Sequence, residues 1–136
     1  MSFFQRREVG RIYVIRMELP DGYVVHKIGM CNSDRSVDRM LEILRSWFMR
    51  FRFIPYCELR LDMQTNYPKE LEAHIHKILD RHRFTPHMKV EGGTEMFIGI
   101  DEFRVLHYLR TFNEDLIPKL NMSDKDYEHF GQLISP

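Results

Sequence analysis

Among the side chains that can handle protons, anions or cations, five stand out by type and spacing: Tyr13, Lys27, Arg39, Glu72 and His76. Tyr13 and Lys27 stand among aliphatic neighbours, in Gly10-Arg11-Ile12-Tyr13-Val14-Ile15 and Val25-His26-Lys27-Ile28-Gly29. A hairpin that only had to pack would need neither a phenol nor an ammonium, so the pair reads as proton-handling chemistry. The bland alternatives are a half-buried strand tyrosine and a lysine whose stem snorkels to solvent. Arg39 follows Arg35 by four residues, so both can point the same way from one helix, or Arg39 is an ordinary exposed arginine. Glu72 and His76 are also four apart, and read either as site residues or as a solvated helix pair. His74, His76, His82 and His87 raise the question of zinc. However, His74 and His76 leave a helix on different sides, and Cys31 and Cys57 have no ligand-spaced partner. No nucleophile elbow or glycine-rich phosphate loop supports a triad or a nucleotide site.

The elements that must position these residues follow from the pattern. Arg11 to Glu18 is a strand with Tyr13, Ile15 and Met17 on one face and Ile12, Val14 and Arg16 on the other. Pro20-Asp21-Gly22 is a turn, because proline sets φ and glycine accepts a positive one. Tyr23 to Gly29 returns, with Tyr23, Val25 and Lys27 on one face, giving an antiparallel hairpin whose register the sequence leaves open. Asn32, Ser33 or Asp34 is expected to cap the next helix, whose apolar stripe is Val37, Met40, Leu41, Leu44 and Phe48. Tyr56 to Met63 alternates as a half-buried third strand. Pro68 opens a second helix with Leu71, Ile75, Ile78, Leu79 and His82 inward. After a turn at Glu91-Gly92-Gly93-Thr94, Glu95 to Ile98 reads as a short strand. Glu102 to Phe112 reads as a third helix, with Phe103, Leu106 and Leu109 periodic.

The expected fold class is α/β in the α+β sense, a small, mainly antiparallel three-stranded sheet flanked by helices. Residues 1–112 form the expected domain, with Met1 to Val9 as a short basic arm. Residues 113–136 form a C-terminal extension in which Ser123 starts a short helix docked through Tyr127, Phe130 and Leu133. At 136 residues one domain is the natural reading. No apolar run is long enough to span a membrane and no signal-peptide core is visible, so no membrane partner is expected. The two unpartnered cysteines point to a cytoplasmic setting. Net charge is zero, but six arginines face three acids between Arg35 and Arg60, and seven acids face four bases from Asp101 onward. A neutral total can therefore conceal a basic face and an acidic tail. Arg11, Arg35, Arg45 and Arg50 are the candidates for contacting nucleic acid.

Taken in order, Gly10-Arg11-Ile12-Tyr13, Lys27-Ile28-Gly29, Arg39-Met40 and Glu72-Ala73-His74-Ile75-His76 resemble the GIY-YIG nuclease family. The likeness is to its branch of small domains first noticed in phage genomes. Gly93-Thr94-Glu95-Met96-Phe97 resembles that branch's closing aromatic box, with Met96 where tryptophan is common, and the likeness spans about residues 10 to 110. Lys27 stands where the wider family has a second tyrosine, and Arg35 competes with Arg39 for the family arginine.

The resemblance implies hydrolysis of phosphodiester bonds, in double-stranded DNA first of all. In that chemistry Tyr13 acts as, or relays to, the general base, and Arg39 steadies the phosphate. Glu72 holds one Mg²⁺ or Mn²⁺. Lys27 holds the phenolate or phosphate, and His76 stands beside Glu72 as a supporting or phosphate-contacting group. Glu95 reads as structural, bonding backbone around Gly92 and Gly93. The rival expectation is a catalytically inactive, phage-encoded module of the same fold that engages a nucleic acid or a host protein. A homodimer is a further expectation, since one site must otherwise act twice to cut two strands.

Overall fold

The β-branched and aromatic run from Gly10 pairs with the run that returns after the Pro20-Asp21-Gly22 turn. In the computed structural model, which describes residues 9–32, 35–86, 95–112 and 123–133, β1 (Gly10–Glu18) and β2 (Val24–Asn32) are antiparallel. Their register sets Tyr13 opposite Gly29 and Ile15 opposite Lys27. Gly22 closes the turn at φ 89°, where a side chain would be strained, and its N–H donates to the Leu19 carbonyl at 3.0 Å.

The chain continues through α1 (Ser36–Phe51), β3 (Tyr56–Thr65), α2 (Pro68–Ile78) and a single 3₁₀ turn, Asp80–His82. Then come β4 (Arg83–Phe84), β5 (Met96–Ile98), α3 (Glu102–Thr111) and α4 (Asp124–Leu133). The sheet order is β3-β1-β2-β5-β4 and every pairing is antiparallel. The fold is therefore α+β, a five-stranded antiparallel sheet flanked by helices. It has two more strands than the three expected: the sequence marks β5 as a short strand but not as part of the sheet, and the two-residue β4 is too short for any period to show.

Each face of the sheet carries its own core. Ile12, Val14 and Ile28 pack with Leu71, Ile75 and Leu79 of α2 and its continuation and with Val105 and Leu109 of α3. Tyr13, Ile15, Met17 and Val25 pack on the other face with Ile43 and Trp47 of α1 and Met96 of β5. The two faces of β1 divide as its alternation requires. β3 does not follow suit, because its register on β1 shifts between Val14 and Ile15. Cys57 and Leu59 consequently pack on the α1 side, whereas Leu61 and Met63 pack on the α2 side. An extra residue in one strand flips every later side chain, and the uniform alternation of β3 conceals that flip.

Three helix expectations are corrected. α1 buries Ser36, Ile43 and Trp47, and leaves Val37, Leu41 and Phe48 of the expected stripe 52%, 55% and 43% exposed. Its N-terminal flank is Arg35, which makes no side-chain cap bond; Asn32 belongs to β2, and Ser33 and Asp34 lie outside the described residues. Phe103 of α3 is 80% exposed, and Val105, Leu106, Tyr108 and Leu109 are buried instead. α4 does start as expected, with Ser123 and Asp126 bonding reciprocally near 3 Å. It docks on α2 through Tyr127 and Lys77–Asp124 at 3.2 Å. The arm before Val9, the Glu91–Thr94 turn, His87, and the side chains of Phe130 and Leu133 lie outside the described residues.

Candidate active site

Two glycines decide where the chemistry-bearing side chains can meet. A Cβ on Gly29 would lie 2.5 Å from the Tyr13 hydroxyl and 3.1 Å from the Lys27 ammonium. The phenol of β1 therefore lies across the bare backbone of β2, with Lys27, two residues along the same face, beside it. A Cβ on Gly10 would lie 2.8 Å from Pro68 Cγ and 2.9 Å from the Cys31 carbonyl. Gly10 thus lets the first residue of α2 close onto the hairpin, and one turn later α2 delivers Glu72 to the same end of the sheet. Tyr13 and Lys27 are both fully buried; neither is a half-exposed tyrosine or a snorkelling lysine.

Arg39 reaches the site from α1 and donates to the Tyr13 oxygen. It also donates to Glu42 at 2.5 Å. Arg35 instead bonds Glu42 at 3.2 Å and lies 4.0 Å from Asp38, both on the outer part of the helix. Between the two arginines, it is Arg39 that touches the phenol. Burial pushes the Tyr13 phenol above its ordinary range, and the Arg39 guanidinium pulls it part of the way back. The hydroxyl is consequently protonated at neutral pH.

Glu72 and His76 lie along β2 just beyond the point where β5 stops pairing with it, since that pairing runs only over Val25, His26 and Lys27. The Met30 N–H donates to the Glu72 carboxylate, and His76 Nε2 donates to the Ile28 carbonyl at 2.6 Å. Two side chains one helical turn apart thus satisfy the backbone that a longer β5 would have paired. They are not a solvated pair. The bond to Ile28 fixes the His76 tautomer, with the hydrogen on Nε2. Burial takes that imidazole down to about 4, helped by the nearby charges of Lys27 and Arg83, so it is neutral at pH 7. Burial also raises the Glu72 carboxyl, while Lys27 and the Met30 N–H act to lower it.

Glu95, read from the sequence as a structural residue bonding nearby backbone, completes the cluster instead. β5 sets Met96 opposite Lys27, and the preceding Glu95 forms an ion pair with the Lys27 ammonium. An acid directly before a short apolar run, aligned with a buried lysine, is a signal only once strand pairing is known. Gly92 and Gly93, its expected partners, lie outside the described residues.

The structure brings together Tyr13, Lys27, Arg39, Glu72 and His76, but not the candidate nucleic-acid contacts. Arg11 is tied to Asp62 across β1 and β3 at 2.5 Å, and Asp62 also accepts from Ser36 at 2.7 Å. Arg45 and Arg50 are exposed on α1, six and eleven residues beyond Arg39, which is ~9 and ~16 Å along the helix axis. The histidines are dispersed as well. His74 lies between the Tyr108 and Tyr127 hydroxyls, and His82 Nδ1 is 3.1 Å from the Ile98 carbonyl. Cys31 and Cys57 are free thiols, and burial pushes Cys57 up to about 11.

The donor set at Glu72 fits a hard divalent cation. Its Oε2 is buried without a hydrogen-bond partner among the described residues, and an orphaned carboxylate oxygen of that kind calls for a proton or a cation. Among the described residues no three His, Cys, Asp or Glu side chains gather as a metal cage. A cation at Glu72 would thus keep several waters, as Mg²⁺ does when one or two carboxylates bind it. Beside Glu72 and His76 a cleft of about 740 Å³ opens between α2 and α4, lined also by Lys77, Arg83, Asp124 and Tyr127. Among the described residues no helix is long and apolar enough to cross a membrane. Neither known protein families nor curated proteins nor solved structures contain a match to this chain.

Proposed function

We propose that this chain is a metal-dependent endonuclease of the GIY-YIG type, hydrolysing phosphodiester bonds in DNA. The observation that carries the reading is the convergence of a phenol, a guanidinium, an ammonium and an orphaned carboxylate around the bare backbone of Gly29. Those four groups cover the three needs of phosphodiester hydrolysis: a proton acceptor for water, fixed positive charge for the phosphorane, and a carboxylate to hold a cation.

In this reading the phosphate enters beside Arg39, whose planar, permanently charged fork holds two of its oxygens. Tyr13 begins protonated, so it works as a relay. Its oxygen takes the proton of the attacking water while its own O–H passes a proton to a nonbridging phosphate oxygen. Lys27, kept charged by Glu95, stabilises negative charge as it develops at Tyr13. His76 holds α2 to β2 by its bond to Ile28 and so positions Glu72. Mg²⁺ or Mn²⁺ at Glu72 would supply Lewis-acid stabilisation of the pentavalent phosphorus and the departing oxygen.

The test is cleavage of a labelled DNA duplex in Mg²⁺ or Mn²⁺ by the wild-type chain and by Tyr13→Phe, Arg39→Ala and Glu72→Ala. Each variant should lose at least about a hundredfold in rate. Wild-type rates in Tyr13→Phe or Glu72→Ala would overturn the assignment. One observation favours a second reading, a binding module without catalysis. Glu72 and His76 both satisfy β2 backbone groups, a structural task that would keep them in place with no reaction to perform. Such a module would bind without cutting and would lose its partner when α4 is deleted, rather than when Tyr13 is changed.

A further inference from the structure

The apolar stripe that α1 turns away from the sheet is continuous. Val37, Leu41, Leu44 and Phe48 recur at spacings of four, three and four, and all but the half-buried Leu44 are exposed. Over ~16 Å of helix this is one face left uncovered among the described residues. Isolated exposed leucines are ordinary, but a helix-length row of them marks a surface that something covers. Arg39 projects from the opposite flank of α1, so covering this stripe does not cover Arg39 or the Tyr13 hydroxyl it donates to.

The charges beside the stripe say what covers it. Asp38 and Arg45, seven residues apart, stand two turns from each other on one flank of the stripe. Both are exposed, and Asp38's contact with Arg35, at 4.0 Å and with both side chains more than half exposed, holds it weakly. In an antiparallel pair of identical helices related by a two-fold axis, each flank meets the same flank of the other copy, running in reverse. With Val37 against Phe48 and Leu41 against Leu44, Asp38 of each copy falls beside the partner's Arg45, twice over. In a parallel pair this flank would instead meet the opposite flank of the other copy, and Asp38 and Arg45 would not be brought together.

We propose that α1 is an isologous docking surface for a second copy of this chain, with the two helices packed antiparallel across Val37, Leu41, Leu44 and Phe48. A single helix pair buries less than the ~1,200–2,000 Å² of a standard interface, so the dimer is weak, with a dissociation constant on the order of 10 µM. Self-association through α1 does not depend on what the Tyr13–Glu72 site does.

Sedimentation velocity of the full chain from about 2 to about 200 µM is the test. The wild type should pass from monomer to dimer across that range. Leu41→Glu, at an already exposed position, should stay monomeric throughout with an unchanged circular dichroism spectrum. Asp38→Arg and Arg45→Asp should each weaken association about tenfold or more, and the double variant should recover it, because the same two pairs re-form with the charges exchanged. A wild type that stays monomeric overturns the proposal. A Leu41→Glu protein that dimerises normally overturns the surface. A double variant no better than either single one overturns the antiparallel register.

Discussion

Glu72 is the residue on which the chemistry turns, because it is ionisable, mostly enclosed and left with one oxygen unbonded among the described residues. Burial raises the Glu72 carboxyl despite Lys27 and the Met30 N–H, so its charged form costs stability, and Glu72→Gln should unfold at a slightly higher temperature than the wild type when no divalent cation is present. Adding Mn²⁺ should reverse the order. A cation that binds only the folded state stabilises it by about 2.7 kcal/mol at a hundredfold excess over its dissociation constant, and the Gln variant lacks the charge to hold it. Thermal melts of both proteins with Mn²⁺ and with EDTA check this, and equal shifts would remove Glu72 from the metal site. Gly29 carries a second prediction. A methyl group there would sit 2.5 Å from the Tyr13 hydroxyl, so Gly29→Ala must move the phenol or the strand. The expected loss is about 1–3 kcal/mol of stability, with cleavage reduced as far as in Tyr13→Phe. Denaturant unfolding and the duplex assay read the two effects separately.

At the scale of elements, β2 is held in three ways along its length: by β1 throughout, by β5 over three residues, and by α2 side chains beyond them. The Lys27–Glu95 pair marks the junction. Replacing Glu95 with Ala leaves a fully buried ammonium without that counter-charge, which is expected to cost about 3–5 kcal/mol. Lys27→Met together with Glu95→Gln should recover most of it, since the hydrophobic pair no longer has a charge to bury. A double-mutant cycle in urea measures the coupling, and additive costs would mean that the pair is not coupled. Much of this layout was legible in the sequence. The hairpin followed from its β-branched alternation and turn chemistry, and the inner stripe of α2 from its spacing and Pro68. What stayed hidden depended on contacts between elements. The β3 bulge leaves local alternation untouched while exchanging faces. α1 carries two apolar rows about a quarter-turn apart, and only packing of Trp47 and Ile43 beneath the sheet selects one. Glu95 could be assigned only with the register of β5 known.

The molecule as a whole is neutral in formal charge, so its stability should respond to pH through particular buried groups. Two imidazoles dominate. His74, where α2 meets Tyr108 of α3 and Tyr127 of α4, and His76, against β2, are each driven by burial to about 4 from an ordinary 6.5. Above pH 6.5 both are neutral in the folded and unfolded chain, and their contribution is fully present. Between 6.5 and 4 the unfolded chain takes up protons that the folded one refuses, so stability falls with pH, by at most about 3 kcal/mol for each group. Glu72 works the other way, because its raised carboxyl holds a proton in the folded state at a pH where the unfolded chain has lost it. Its penalty therefore eases as pH falls, offsetting part of the loss. The net expectation is a steep drop in urea midpoint from pH 7 to pH 5. His76→Gln keeps a donor for the Ile28 carbonyl without a titrating ring, and should remove roughly half of that slope. Amide exchange in α4 should quicken over the same interval, since a charged His74 would be buried between the two tyrosines that join α4 to the domain. An unchanged slope in His76→Gln, with α4 protection constant down to pH 5, would mean that these imidazoles titrate normally in the folded protein and that the α2–α4 junction is not where acid first opens the structure.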